Sequence, residues 1–203
     1  MADPIDFYFD FSSPYGYFAS TQIESLAAEF GRTVRWRPIL LGPMFKASGA
    51  APLTEIPLKG DYARHDFERT AKLFNIPYRQ PDPFPIGTVS AARSVLFLQQ
   101  HDSDKATKLA QRLFSAYFSE QRNIGDVNVV LAIAGEMGID TDSLAAGIAQ
   151  EETKALLKTE VENAIARGVF GAPFIFIDNE PFWGFDRFEH IRKWLKIQPS
   201  LSG

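Results

Sequence analysis

Between Ile5 and Leu41 the residues spell a strand, a helix and a second strand, and this spacing narrows the possible folds more than any other feature. Ile5 to Phe11 alternates charged and aromatic residues as a half-buried strand does. Ser12-Ser13-Pro14 then supplies an N-cap and a first-turn proline. From Tyr15 to Phe30 apolar side chains return at helical spacing through Phe18, Ile23, Leu26, Ala27 and Phe30, and Gly31 is the expected stop. Thr33 to Leu41, β-branched and apolar, reads as the second strand. A connection of this length is about the shortest that joins two parallel strands, so an α/β sheet is expected.

The other end carries a complementary half. Gly168-Val-Phe-Gly-Ala-Pro173 leads into the apolar run Phe174 to Ile177, a turn at Asp178-Asn179 and a short run through Phe182 and Trp183. Phe188 to Leu195, with Ile191 and Trp194 at helical spacing, closes as an amphipathic helix. In between, Leu41 to Ile86 holds most of the prolines and one helical patch, Asp61 to Phe74. Thr88 to Gly168 reads as helices alone, near Thr88 to His101, Ser103 to Glu120, Val127 to Met137, Thr141 to Ala149 and Glu152 to Arg167. Without the middle, the order is β-α-β, helix, β-β-α, that of the thioredoxin fold. The expectation is an α/β, thioredoxin-like fold: a discontinuous domain from 1–41 and 168–203, interrupted by a mainly helical insertion at 42–167.

Composition excludes several function classes. With 203 residues, 45% of them hydrophobic, the chain buries a real core. The net charge of -4 is spread over interspersed signs with no basic run, which argues against nucleic acid or an anionic membrane as partner. The N-terminus lacks the positive charge and apolar stretch of a secretory leader, and no apolar run reaches membrane-spanning length, so a cytoplasmic protein is expected. There is no cysteine, hence no disulfide and no redox chemistry on the chain's own sulfur. His65, His101 and His190 are too far apart for a legible zinc site; they read as exposed residues, and no metal is expected.

Ser13-Pro14-Tyr15-Gly16 sits at the strand-to-helix corner where thioredoxin-fold oxidoreductases carry Cys-Pro-Tyr-Cys or a related pair. A hydroxyl there cannot exchange disulfides, but it can donate to a sulfur that a ligand brings. A helix terminus worth up to ~2 kcal/mol would lower a thiol pKa by roughly 1.5 units, from about 8.5 to around neutrality. Read locally, either Ser12 or Ser13 serves simply as a helix cap. What favours the ligand-facing reading is the loop Gly168 to Pro173, which resembles the cis-proline loop of the same fold, where the residue before the proline, here Ala172, pairs with a peptide backbone. On these residues alone a plain trans bond at Pro173 is the default, because cis is the minority state even before proline.

Six segments together resemble the 2-hydroxychromene-2-carboxylate isomerases, in the thioredoxin-like branch that also holds DsbA-like proteins and kappa-class glutathione transferases. They are Asp10 to Tyr17, Leu40 to Lys46, Pro57 to Tyr62, Phe84 to Arg93, Gly168 to Pro173 and Trp183 to Arg187, in order and almost end to end. The resemblance implies a glutathione-dependent isomerase of aromatic-hydrocarbon catabolism, a homodimer, with glutathione as cofactor and an aromatic carboxylate as substrate. It assigns the catalytic hydroxyl and the sulfur contact to Ser13. Ala172 and Pro173 would pair with the tripeptide backbone, and Trp183, Gly184, Phe185 and Asp186 would bind its γ-glutamyl end. Lys46 would neutralise the substrate carboxylate, although a solvated loop lysine is as good a reading of the residue itself. Asp186 also suits the N-cap of the last helix. Ala50 and Phe185 depart from residues common in that family, asparagine and a polar residue respectively. Lys59 reads as surface, and Arg93 and Arg187 as either ligand contacts or surface charges. Phe45, Phe67, Phe74, Tyr78 and Phe84 read as core or as the wall of a substrate pocket. Two other functions stay open: a kappa-like glutathione transferase, and a non-catalytic thioredoxin-like peptide-binding module.

Overall fold

A computed structural model describes residues 2–197; residue 1 and residues 198–203, the outer ends of the expected discontinuous domain, lie outside it. The sheet has four strands: β1 (Ile5–Phe9), β2 (Val34–Pro38), β3 (Phe174–Ile177) and β4 (Glu180–Trp183), in the order β2-β1-β3-β4. β1 runs parallel to β2 and antiparallel to β3, and β3 pairs antiparallel with β4. The two halves seen at the chain's ends therefore meet along β1 and β3, which puts the corner after β1 beside the loop before β3.

β1 differs from its expectation as a half-buried strand, since all five of its residues are buried. Helices cover both of its faces. Ile5, Phe7 and Phe9 point to one side, into the main core with Trp36, Phe114 and Phe118; Tyr8 points to the other, with Phe174, Phe176 and Leu157. Asp6 is tolerated on that second side because Arg37 donates to it at 2.9 Å and Arg167 at 2.5 Å.

The helix expected over Tyr15 to Phe30 is two pieces, α1 (Pro14–Ser20) and α2 (Ile23–Ala28). The Ser20 and Thr21 hydroxyls donate back to the Tyr17 and Phe18 carbonyls at 2.6 and 2.7 Å, competing with the backbone ladder at the break. The second strand ends earlier than Leu41, because Leu41–Ser48 forms a helix, α3. Pro43 is compatible with the first turn of this helix, where its missing N–H is not needed. α4 (Lys59–Leu73), α5 (Val89–Gln99), α6 (Ser103–Phe118), α7 (Val127–Glu136), α8 (Thr141–Ala149), α9 (Glu151–Ala166) and α10 (Phe188–Ile197) fall within a few residues of their expected spans. Among the described residues, no strand lies between β2 and β3 and no helix is long and apolar enough to cross a membrane.

Candidate active site

Ser13 is the extended residue before α1 and its hydroxyl has two partners. It accepts from the Gly16 N–H at 3.0 Å, which caps the helix, and donates to the Ala172 carbonyl at 2.8 Å. Cap and loop contact, alternatives in the sequence, are the same group. Only 5% of Ser13 is exposed. Ser12 turns elsewhere: its N–H and hydroxyl both donate to Asp10 Oδ1, at 2.9 and 3.0 Å.

The opposite wall is the loop before β3, and the Ala172–Pro173 bond is cis. The Pro173 carbonyl accepts from the Gly184 N–H at 3.1 Å and so faces β4. The carbonyl of the preceding residue, Ala172, points instead to Ser13, whose hydroxyl it accepts from. Gly171 is needed here for space: a Cβ on it would lie 2.7 Å from the indole nitrogen of Trp183. That indole is 55% exposed and packs on the Phe170 ring, with centroids 4.9 Å apart. Gly184 then takes the left-handed φ of 110°, and any Cβ on it would collide with the Asp186 carboxylate. Asp186 thus lies over the end of β4, largely exposed, with Arg187 3.4 Å away. Phe185 points the other way, its ring buried against Phe18, Phe74 and Phe188, so only its backbone is left to face a ligand.

Two features of the corner went unassigned in the sequence. Asp10 is 4% exposed and, among the described residues, has no cationic partner. Besides Ser12, Thr88 donates to its Oδ1 at 2.8 Å and the Leu41 N–H to its Oδ2 at 2.6 Å. Burial pushes this carboxyl up while the four hydrogen bonds pull it down, and the net direction is upward. One carboxylate therefore joins the end of β1, the Ser12-Ser13 turn, the start of α3 and the start of α5. Its local signal is an aspartate three residues before a helix cap, which suggests a turn and nothing further. Tyr15 is the second feature: its hydroxyl donates to Asp66 on α4, and Asp66 is paired with Arg69. Burial, with that carboxylate beside it, holds the Tyr15 pKa far above its ordinary value, so the group stays a protonated donor.

The corner can hold a ligand's sulfur against a hydroxyl and a ligand's backbone against Ala172. It contains no thiol of its own, and among the described residues no group of acidic or histidine side chains is arranged to hold a metal. The chain as a whole is similar to known proteins. The DSBA-like thioredoxin domain matches residues 4–196. The chain belongs to this family. Among relatives of the DSBA-like chain, a 2-hydroxychromene-2-carboxylate isomerase from Sphingobium xenophagum is 28% identical over 197 residues, covering 96% of this chain and 99% of that one. Glutathione S-transferase kappa 1 from Caenorhabditis elegans is also 28% identical, over 204 residues, with 95% and 90% covered. A solved 2-hydroxychromene-2-carboxylate isomerase structure superposes with a TM-score of 0.84 at 26% identity, covering 95% of this chain and 94% of that one. The thioredoxin-like fold expected from the sequence is the one observed.

In this DSBA-like chain no hydrogen bond among the described residues links the remaining candidates to Ser13. Lys46 is in the last turn of α3, exposed, and forms no ion pair among the described residues. Lys59 begins α4 and is exposed, as are all three histidines. Arg93 is partly buried on α5, with no partner on its Nε. Arg187 spans Asp186 and His190. Phe67 belongs to the main core, Tyr78 packs against it partly buried, and Phe74, half exposed, packs on Phe185.

Proposed function

We propose that the protein is a glutathione-dependent isomerase interconverting 2-hydroxychromene-2-carboxylate and trans-o-hydroxybenzylidenepyruvate, or a close analogue, in aromatic-hydrocarbon catabolism. The observation that carries this reading is the Ser13 hydroxyl 2.8 Å from the Ala172 carbonyl in a chain without cysteine. The donor set fits the tripeptide: a hydroxyl for sulfur, a backbone edge at Ala172 and Pro173 for the peptide, and the exposed Asp186 for an α-ammonium group. Bound glutathione supplies a sulfur nucleophile that adds reversibly to a conjugated carbon, so that a double bond becomes free to rotate. Ser13 donates to that sulfur and favours its deprotonated form. Ala172 and Pro173 fix the peptide, Trp183, Gly184 and the Phe185 backbone hold the glutamyl end, and Lys46 pairs with the substrate carboxylate. The relatives named as isomerases support this assignment. We place the protein in the cytoplasm as a homodimer.

The equal identity to a kappa-class transferase favours a second reading, in which glutathione stays on an electrophilic product. Absorbance of 2-hydroxychromene-2-carboxylate, followed with and without glutathione together with the free thiol remaining, separates the two. The isomerase converts substrate only when glutathione is present and leaves the thiol count constant; the transferase consumes one thiol per turnover. Because the chain has no cysteine, activity survives prior treatment of the protein with an alkylating reagent. Turnover without any thiol would sink both readings.

A further inference from the structure

A hydroxyl has one proton and two lone pairs, and in Ser13 the proton is already committed. A carbonyl cannot donate, so the 2.8 Å contact between Ser13 Oγ and Ala172 O uses that proton, while the Gly16 N–H at 3.0 Å occupies a lone pair. A thiolate arriving at this corner meets a hydroxyl with only a lone pair to offer, which repels it. For Ser13 to turn its proton to sulfur, the Ala172 carbonyl must lose its partner in a partly buried corner.

We propose that the Ala172 carbonyl is a gate on the Ser13 proton: it releases the hydroxyl only when a ligand amide N–H takes its place, so the site activates thiols whose sulfur-bearing residue carries an amide and leaves simple thiols unactivated. The identity of the amide-bearing thiol as glutathione rests on the function proposed above. The energetics decide the sign. Giving a hydrogen bond to a thiolate and stripping one from a partly buried carbonyl are of similar size and opposite effect. An N–H delivered to Ala172 O removes the second term and leaves the first. The backbone arrangement suits this, because Pro173 O is engaged with Gly184 and Ala172 faces the Ser13 side. Selection for peptide thiols then follows from proton placement as well as from contact area.

The test is a titration of bound thiolate by its ultraviolet absorbance. Its arms are the native protein and Ser13→Ala, each with glutathione and with the depsipeptide in which an ester oxygen replaces the cysteinyl amide N–H. With the native protein the bound depsipeptide should show a thiolate fraction at neutral pH lower by roughly 10- to 100-fold than bound glutathione, the worth of one hydrogen bond to a charged group. Ser13→Ala should produce the same loss with glutathione, and combining the variant with the depsipeptide should add little, because both remove one shared interaction. Equal thiolate fractions for the two ligands on the native protein, or strictly additive losses, would overturn the gate while leaving glutathione use intact. Complete loss of depsipeptide binding overturns it too, since the gate gives the amide a role in activation rather than in retention. Failure of glutathione to bind the native protein would overturn the underlying function and the gate together.

Discussion

Ser12 and Ser13 carry the same side chain in adjacent positions, and their neighbours separate them. Ser13→Ala removes the α1 cap, so a loss of about 0.5–2 kcal/mol in stability is expected, read from denaturant unfolding. On the proposed mechanism its turnover falls roughly 10- to 1,000-fold, the range for one lost donor to a developing anion, whereas Ser12→Ala costs much less. Ser13→Cys is a poor substitute, since a thiol donates weakly and forms mixed disulfides with the ligand. A Ser13→Ala enzyme with native rate and pH profile would leave this residue as a cap alone. Asp10 raises a different demand. Its two oxygens accept from two backbone N–H groups, Ser12 on one and Leu41 on the other, and neither donor can be reversed. An amide offers only one acceptor, so Asp10→Asn leaves one N–H facing a donor and should cost roughly 1–3 kcal/mol. A Ser13-dependent activity that falls with it, and a stability unchanged by Asp10→Asn, are the opposite outcomes to look for. Nothing in the local pattern around Asp10 announces four donors, because two come from Leu41 and Thr88, far along the chain.

Among the elements, α3 shows why a helix can be invisible in its own residues. Leu40, at its N-cap, makes no side-chain cap, and the cap comes instead from Asp10. By contrast α6, α7 and α8 carry their own caps, Asp102, Asp126 and Asp140, and their spans were legible to within two residues. Strand pairing has its own dependence on pH. Asp6 on β1 lies opposite Arg35 of β2 in the register and meets Arg37 and Arg167. Burial pushes its carboxyl up, but the hydrogen bonds from Arg167 and Arg37 outweigh this and hold it below the ordinary carboxylate range. A depressed pKa means that the stabilisation is present above the unfolded value, near 4, and is lost as pH falls through the folded one. Asp6→Asn should therefore lower stability at neutral pH by about 1.5–3 kcal/mol and flatten its decline below pH ~4. Denaturant midpoints of both proteins across that range check it, and parallel curves would reject the assignment.

At the scale of the molecule, the helices between β2 and β3 do not stand apart from the sheet. Phe114 on α6 is fully buried and its ring lies 5.5 Å from Phe9 and 4.8 Å from Phe11. Phe114→Ala should cost about 3–5 kcal/mol. Far- and near-ultraviolet circular dichroism should then report one coincident transition at a lower midpoint, whereas two separated transitions would show the helical segment unfolding by itself. The residues alone determined the order of the strands, the strand-helix-strand start, the closing hairpin and helix, the helices bounded by their own aspartates, and the absence of any cysteine thiol. Those properties depend on periodicity, caps and composition, which act over a few residues. Tertiary structure decided that Ser13 rather than Ser12 meets Ala172, that Asp10 caps α3, that the Phe185 ring enters the core, and that β1 is covered on both faces. The Ser13 and Asp10 contacts join residues 159 and 31 positions apart. Which partners meet over such distances is set by how helices close over the sheet, and that choice leaves no periodic trace in the chain.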